Sequence, residues 1–187
     1  MDIEKFHSVA VAHANIVFDL HQECPPILFG LKPDGNILLL THEFGDYDEK
    51  QQTFNLYAGL LAIHDVCIYT FITEAWLVKR HVDQMDIKNP PIPSECDDKV
   101  SCILAVSTQK KPRRTIQNSY EIKETDKKRI ILNDDSTSTD EIQDNLKLFD
   151  RVRIPDSDLK EIKLLFSLGF PWVLEISEKD FLDYQVN

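Results

Sequence analysis

Apolar positions recur at helical spacing from Asp2 to about Gln22, through Phe6, Val9, Ala10, His13, Ile16, Val17 and Leu20, and the pattern stops at Cys24, Pro25 and Pro26. It predicts an amphipathic first helix. Two short apolar runs follow, 27–31 and 36–41, on either side of Lys32-Pro33-Asp34-Gly35, where proline presets a turn and glycine accepts positive φ. They predict a β-hairpin. Phe54, Tyr57, Ala58, Leu61 and Ala62 restore the helical period, with Asp48 the expected N-cap. The run from Val66 to Trp76 is apolar, β-branched and aromatic and predicts a buried strand that carries Glu74 and Trp76 to the rim of a sheet.

Prolines 90, 91 and 93 make 83–98 a loop, after which 99–108, 115–123 and 129–132 read as further strands. The polar stretch 133–140 reads as an exposed loop, and helical spacing returns near 140–149 and at 157–168, with a short strand expected over 172–176. The order of helix, hairpin, helix and three strands predicts an α+β fold with an antiparallel sheet of about five strands and both early helices on one face, analogous to profilin-like and roadblock-like sheets. Residues 1–132 are expected to form the core domain, and 133–187 a helical extension packed on it.

A formal charge of −11 over 187 residues disfavours nonspecific attraction to nucleic acid or anionic membrane. The opening residues lack a signal-peptide pattern, and no apolar run approaches bilayer-spanning length, so a cytoplasmic protein is expected. Cys24, Cys67, Cys96 and Cys102 include no CxxC pair and read as reduced thiols. Five scattered glycines build neither a dinucleotide-binding turn nor a phosphate-cradling loop, so no cofactor is expected.

The succession Pro33-Asp34-Gly35, a helix, Thr73-Glu74-Ala75-Trp76 and then Pro93-Ser94-Glu95 resembles a group of uncharacterised bacterial and phage proteins in which a strand ending Ser-Glu-Ala-Trp precedes a Pro-Ser-Glu loop. Here Thr73 takes the serine's place, and Lys99 follows Asp97 and Asp98 where that group leads one to expect arginine and glutamate. The resemblance spans roughly residues 27–108 and implies one continuous domain there, with no activity attached.

Glu74 and Trp76 share strand parity and should project to one face. With Glu95 or Asp97 folded over them by the proline-rich loop, a carboxylate pair beside an apolar wall could do acid/base work, and Glu74 and Glu95 are the catalytic candidates. The structural alternative pairs Glu74 with Lys79 or Arg80 and uses Trp76 as packing. Trp76→Ala is expected to destabilise the fold or abolish binding more than Trp172→Ala does, removal of a buried tryptophan costing about 3–5 kcal/mol. His42, Glu43 and Asp46, with Asp48 behind them, are the weak metal-ligand alternative to a plain loop and helix cap. His13 lies on the apolar stripe of the first helix and reads as a core histidine.

Eight basic residues against three acids between 110 and 129 predict a local positive patch that includes Arg113 and Arg114. The leading expectation is a non-enzymatic interaction module, adaptor or chaperone-like, binding another protein through Trp76, Glu74, Arg113 and Arg114, with homo-oligomerisation left open. The alternative is a small metal-dependent hydrolase or nuclease-like enzyme using Glu43, Glu74 and Glu95.

Overall fold

The computed structural model describes residues 1–43, 45–78, 92–126, 128–132, 136–138, 146–150, 160 and 173–183. Asp2 opens α1 (Ile3–His21), its carboxylate accepting from the Lys5 amide at 2.8 Å. Gln22 ends the helix in the left-handed region at φ 61°, its amide donating to the Phe18 carbonyl. The hairpin follows as β1 (Ile27–Leu31) and β2 (Ile37–Thr41), with Gly35 at φ 88° in the turn. Asp46, not Asp48, caps α2 (Tyr47–Ile63): it accepts from the Glu49 amide at 2.9 Å while Glu49 reaches back to the Gly45 amide at 2.7 Å.

The remaining described elements are β3 (Ile68–Leu77), a 3-10 turn at Pro93–Glu95, β4 (Val100–Gln109), β5 (Arg114–Glu124), β6 (Arg129–Ile131), β7 (Ser136–Ser138), β8 (Val173–Ile176) and α3 (Glu178–Asp183). The fold is α+β with an antiparallel sheet, larger than the expected five strands. Seven strands run in the order β6-β5-β4-β3-β1-β2-β8, and β7 also pairs with β5. Ile122 faces Ile131 whereas Gln117 faces Ser138, a register slip of two residues that makes β6 and β7 two pieces of one broken edge strand. The part beyond 132 is therefore not a helical extension alone, since β7 and β8 belong to the same sheet. The helix expected over 157–168 lies outside the described residues, apart from Lys160, which is helical.

The two early helices lie on opposite faces, contrary to the expectation that they share one. Phe6, Val9, Ala10, Ala14 and Phe18 of α1 pack with Ile27, Phe29, Ile37, Ile72 and Ile103. On the other face Phe54, Tyr57, Leu60 and Leu61 of α2 pack with Leu28, Leu38, Leu40, Tyr69 and Phe71. Alternate residues of each central strand thus enter different cores, which is why β1, β2 and the first half of β3 read as unbroken apolar runs. At Gly30 the approach of α2 is so close that a Cβ would stand 3.2 Å from Leu61 and 3.3 Å from Val66.

α3 closes the α1 face through Phe181, fully buried against Phe6 and Phe29, with the His13 ring stacked on it at 4.9 Å and 10°. His13 Nε2 is also hydrogen-bonded to the Phe181 carbonyl at 2.9 Å, and burial lowers its pKa. Deeper under α1, His7 Nδ1 meets Ser107 Oγ at 2.7 Å, and Ser107 Oγ meets Thr70 Oγ1 at 2.6 Å, all three residues being buried. On the α2 face, residues 146–150 complete the covering, with Leu148 fully buried and the Phe149 ring 4.9 Å from that of Tyr69.

Candidate functional site

β3 is longer than its covering. Ile68 to Ile72 is buried on both faces, while Thr73 to Leu77 is partly or largely exposed. β4 pairs with it along the whole length, Glu74 opposite Ile103 and Trp76 opposite Ser101, so the projecting half stays in the sheet. The end of β3 therefore presents Glu74 and Trp76 on a rigid support.

Glu74 sits at the centre of a polar lock. Arg129, at the start of β6, donates from Nη2 to Glu74 Oε2 at 2.7 Å and from Nη1 to Oε1 at 3.2 Å. Oε1 also accepts from the Cys24 amide at 2.8 Å. Arg129 Nη1 donates to the Gln22 carbonyl and the Arg129 amide to Gln22 Oε1, both at 2.7 Å, so the left-handed residue that ends α1 is held by the same arginine. The guanidinium lies 5.3 Å from the Phe18 ring centroid, and hydrogen bonding to Glu74 raises its pKa further. One ion pair thus ties α1, β3 and β6 together. The partner of Glu74 is Arg129; Lys79 and Arg80 lie outside the described residues.

Beside this lock opens a cavity of about 680 Å³, lined among others by His21, Glu23, Cys24, Glu43, Glu74 and Arg129. Burial, assisted by the Glu74 charge, pushes the Cys24 thiol up to about 12, which disfavours its thiolate form. Both oxygens of Glu74 are engaged, which leaves it poorly placed as a general base. Glu43 lines the cavity with Glu74, whereas Glu95 is exposed on the 3-10 turn and does not. Asp46 serves as the α2 cap. Among the described residues no group of three His, Cys, Asp or Glu side chains is placed to hold a metal ion, so neither Glu43, Glu74 and Glu95 nor His42, Glu43 and Asp46 form such a group.

A second concavity, about 380 Å³, lies at the same end of β3 and is walled by Phe54, Phe71, Leu104 and Val106, with Trp76 and Ser94 at its margin. Trp76 is 52% exposed, so it is not the core residue that its strand suggested. The Lys99 ammonium stands 4.7 Å from the Trp76 ring centroid and donates to the Ser94 carbonyl at 2.7 Å. Lys50 lines the groove, its ammonium 5.7 Å from the Phe54 ring centroid.

Arg113 and Arg114 belong elsewhere. They sit at the β4–β5 hairpin, beside Gln109, which faces Ile68 at the opposite end of β3 from Trp76. Eight strand residues at about 3.3 Å each put the two places about 26 Å apart. Arg113 pairs with Asp150 at 2.8 Å and lies 5.7 Å from the Phe149 centroid, and Arg114 pairs with Glu4. The four residues expected to bind a partner thus form no single surface. Sequence reasoning missed Arg129, Gln22, Lys50 and Lys99. Arg129 lies 55 residues from Glu74 in the chain, and nothing in its basic surroundings marks it as the strand-end residue that turns inward. No protein-family model, curated protein or solved structure matches the chain.

Proposed function

We propose that this chain is a non-enzymatic protein-interaction module, adaptor or chaperone-like, that takes hold of its partner at the projecting end of β3. One observation carries the reading: Trp76 is half in solvent at the projecting strand end, which also borders, on the α2 face, an apolar groove walled by Phe54, Phe71, Leu104 and Val106. A large aromatic residue next to a preformed apolar concavity has the composition of an interface hot spot. The lock around Glu74 supports the same reading, because it engages both oxygens of a carboxylate that could otherwise have served as a base.

The test is affinity capture from the native cell with wild type and Trp76→Ala side by side, together with a screen of hydrolytic activity on wild type and Glu74→Gln. The expected result is a partner retained by wild type and lost by Trp76→Ala at unchanged thermal stability. A partner set indifferent to Trp76, or a metal-dependent hydrolysis abolished by Glu74→Gln without loss of fold, would overturn it.

A further inference from the structure

We infer that residues 146–150 are the built-in occupant of a docking groove on the α2 face, and that a partner segment of the same chemistry, an aliphatic residue followed by an aromatic one and a carboxylate, takes their seat. This goes beyond the reading above, which concerns the projecting end of β3.

The segment belongs to no helix or strand. The Asp150 amide donates to the Lys147 carbonyl at 2.8 Å, which closes a turn, and the side chains that follow Lys147 reach the folded scaffold one after another. Leu148 is fully buried in the cluster that contains Phe54, Tyr57, Leu60 and Tyr69. The Phe149 ring meets that of Tyr69 edge-on at 4.9 Å, and Asp150 pairs with Arg113 at 2.8 Å. The Arg113 guanidinium also lies 5.7 Å from the Phe149 centroid, so one arginine at the β4–β5 hairpin receives both the ring and the acid. Lys110, 6.0 Å from the same centroid, is paired with Asp65 and contributes packing. An aliphatic anchor, an aromatic anchor and a carboxylate, each with its own receptor, make up the pattern by which a short segment is recognised. Leu146 walls the 380 Å³ concavity together with Phe71, Leu104 and Val106, so release of the segment joins the Leu148 seat to that concavity.

A tethered occupant competes as if present at roughly millimolar concentration, and the apparent affinity of a partner falls with the fraction of time the seat is open. Weak apolar surfaces are thereby kept out, while a better-matched segment gains entry. Lys147 lowers the threshold. It is held in the left-handed region at φ 49°, which a lysine disfavours, so the seated turn holds less tightly than its contacts alone would give.

The experiment is thiol labelling of the full-length Leu148→Cys variant, which keeps a small apolar side chain in the seat, with Cys102 as the internal reference. Cys102 is buried within β4 and reacts only when the sheet itself opens. The introduced thiol should react at least about a hundredfold faster than Cys102, because the segment opens locally. A synthetic peptide of residues 144–152 at millimolar concentration should raise that rate about threefold or more by keeping the seat filled while the segment is out. The same peptide with Phe149→Ala and Asp150→Lys should leave it unchanged. Labelling as slow as that of Cys102, or a rate that ignores the first peptide, would overturn the inference. A rate that rises with protein concentration in step with a dimer would give the seat to a second copy and overturn the partner. None of these outcomes involves Trp76, so failure here leaves the interaction reading standing.

Discussion

Acid should destabilise this fold through His7, and the size of the effect follows from where the imidazole sits. His7 is 5% exposed on the side of α1 that faces the sheet, bonded through Nδ1 to Ser107, and Nε2 has no hydrogen-bond partner among the described residues. Burial lowers its pKa to about 4, against roughly 6.5 for histidine in an unfolded chain. Between those values the unfolded chain binds a proton that the folded one refuses. The contribution is therefore fully present above pH 6.5 and is lost as pH falls towards 4. The two-and-a-half-unit difference corresponds to about 3 kcal/mol, with a limiting slope of about 1.4 kcal/mol per pH unit. Urea melts of wild type and His7→Asn across this range measure it, asparagine keeping a polar atom near the Nδ1 position while removing the titration. The variant should start less stable and lose less on acidification, retaining the shallower dependence that His13, lowered in the same direction, supplies. Parallel curves for the two proteins, or a His7 imidazole titrating near 6.5 in NMR spectra of the folded state, would refute the reasoning.

Glu74→Gln should cost about 2 kcal/mol, because it leaves Arg129 three-quarters buried without its counter-charge, while the double variant with Arg129→Gln should cost less than the sum of the singles; additive urea-melt values would dissolve the lock. Leu148→Ala should cost about 2–4 kcal/mol by the same measurement, since its side chain is fully buried on the α2 face, and a loss below about 1 kcal/mol would mean that residues 146–150 are not docked there. Trp76→Ala should cost under about 1 kcal/mol, not the larger loss of a buried tryptophan, because half the side chain already faces solvent; an effect above about 3 kcal/mol would return Trp76 to the core. In thiol labelling of the native protein, Cys24 and Cys102 should react far more slowly than Cys96, the first two being buried, and equal rates would contradict the burial.

The elements that were legible in the sequence are those whose signals are local. The apolar period of α1 and the prolines after it, the Pro33-Asp34-Gly35 turn and the apolar period of α2 each constrain only their neighbours, and the structure has these elements within a few residues of the expected bounds. The relative placement of the helices was also written in the chain but was read too simply. Ile37, Leu38, Leu39 and Leu40 alternate between the two cores, and a strand with a solvated face would have shown polar residues at every second position. The strand count fell short although β6 and β8 had been expected at 129–132 and 172–176, and the strand that was missed is β7, three residues within the polar stretch read as a loop, too short to carry a periodic signal of its own. At the site, Glu74 and Trp76 were identifiable from strand parity, but their surroundings were not. Arg129 and the Cys24 amide reach Glu74, and Gln22 reaches Arg129, only through tertiary folding, and no spacing rule connects residues 50 or more positions apart.

The same lock explains why an exposed tryptophan at a strand end can serve as an anchor. Binding immobilises interface side chains and the backbone beneath them, and a projecting strand end that had to be ordered on contact would lose much of the affinity its aromatic surface provides. Here the ordering is done beforehand. Trp76 lies two residues beyond Glu74 on the same face, and Glu74 is fixed to β6 through Arg129 and to the α1–β1 connection through the Cys24 amide. Full-length pairing with β4 fixes the other side, and Lys99 restrains the ring itself. The residues that look most catalytic by type are on this view the support of the anchor: the carboxylate contributes geometry, and the tryptophan two positions away contributes contact.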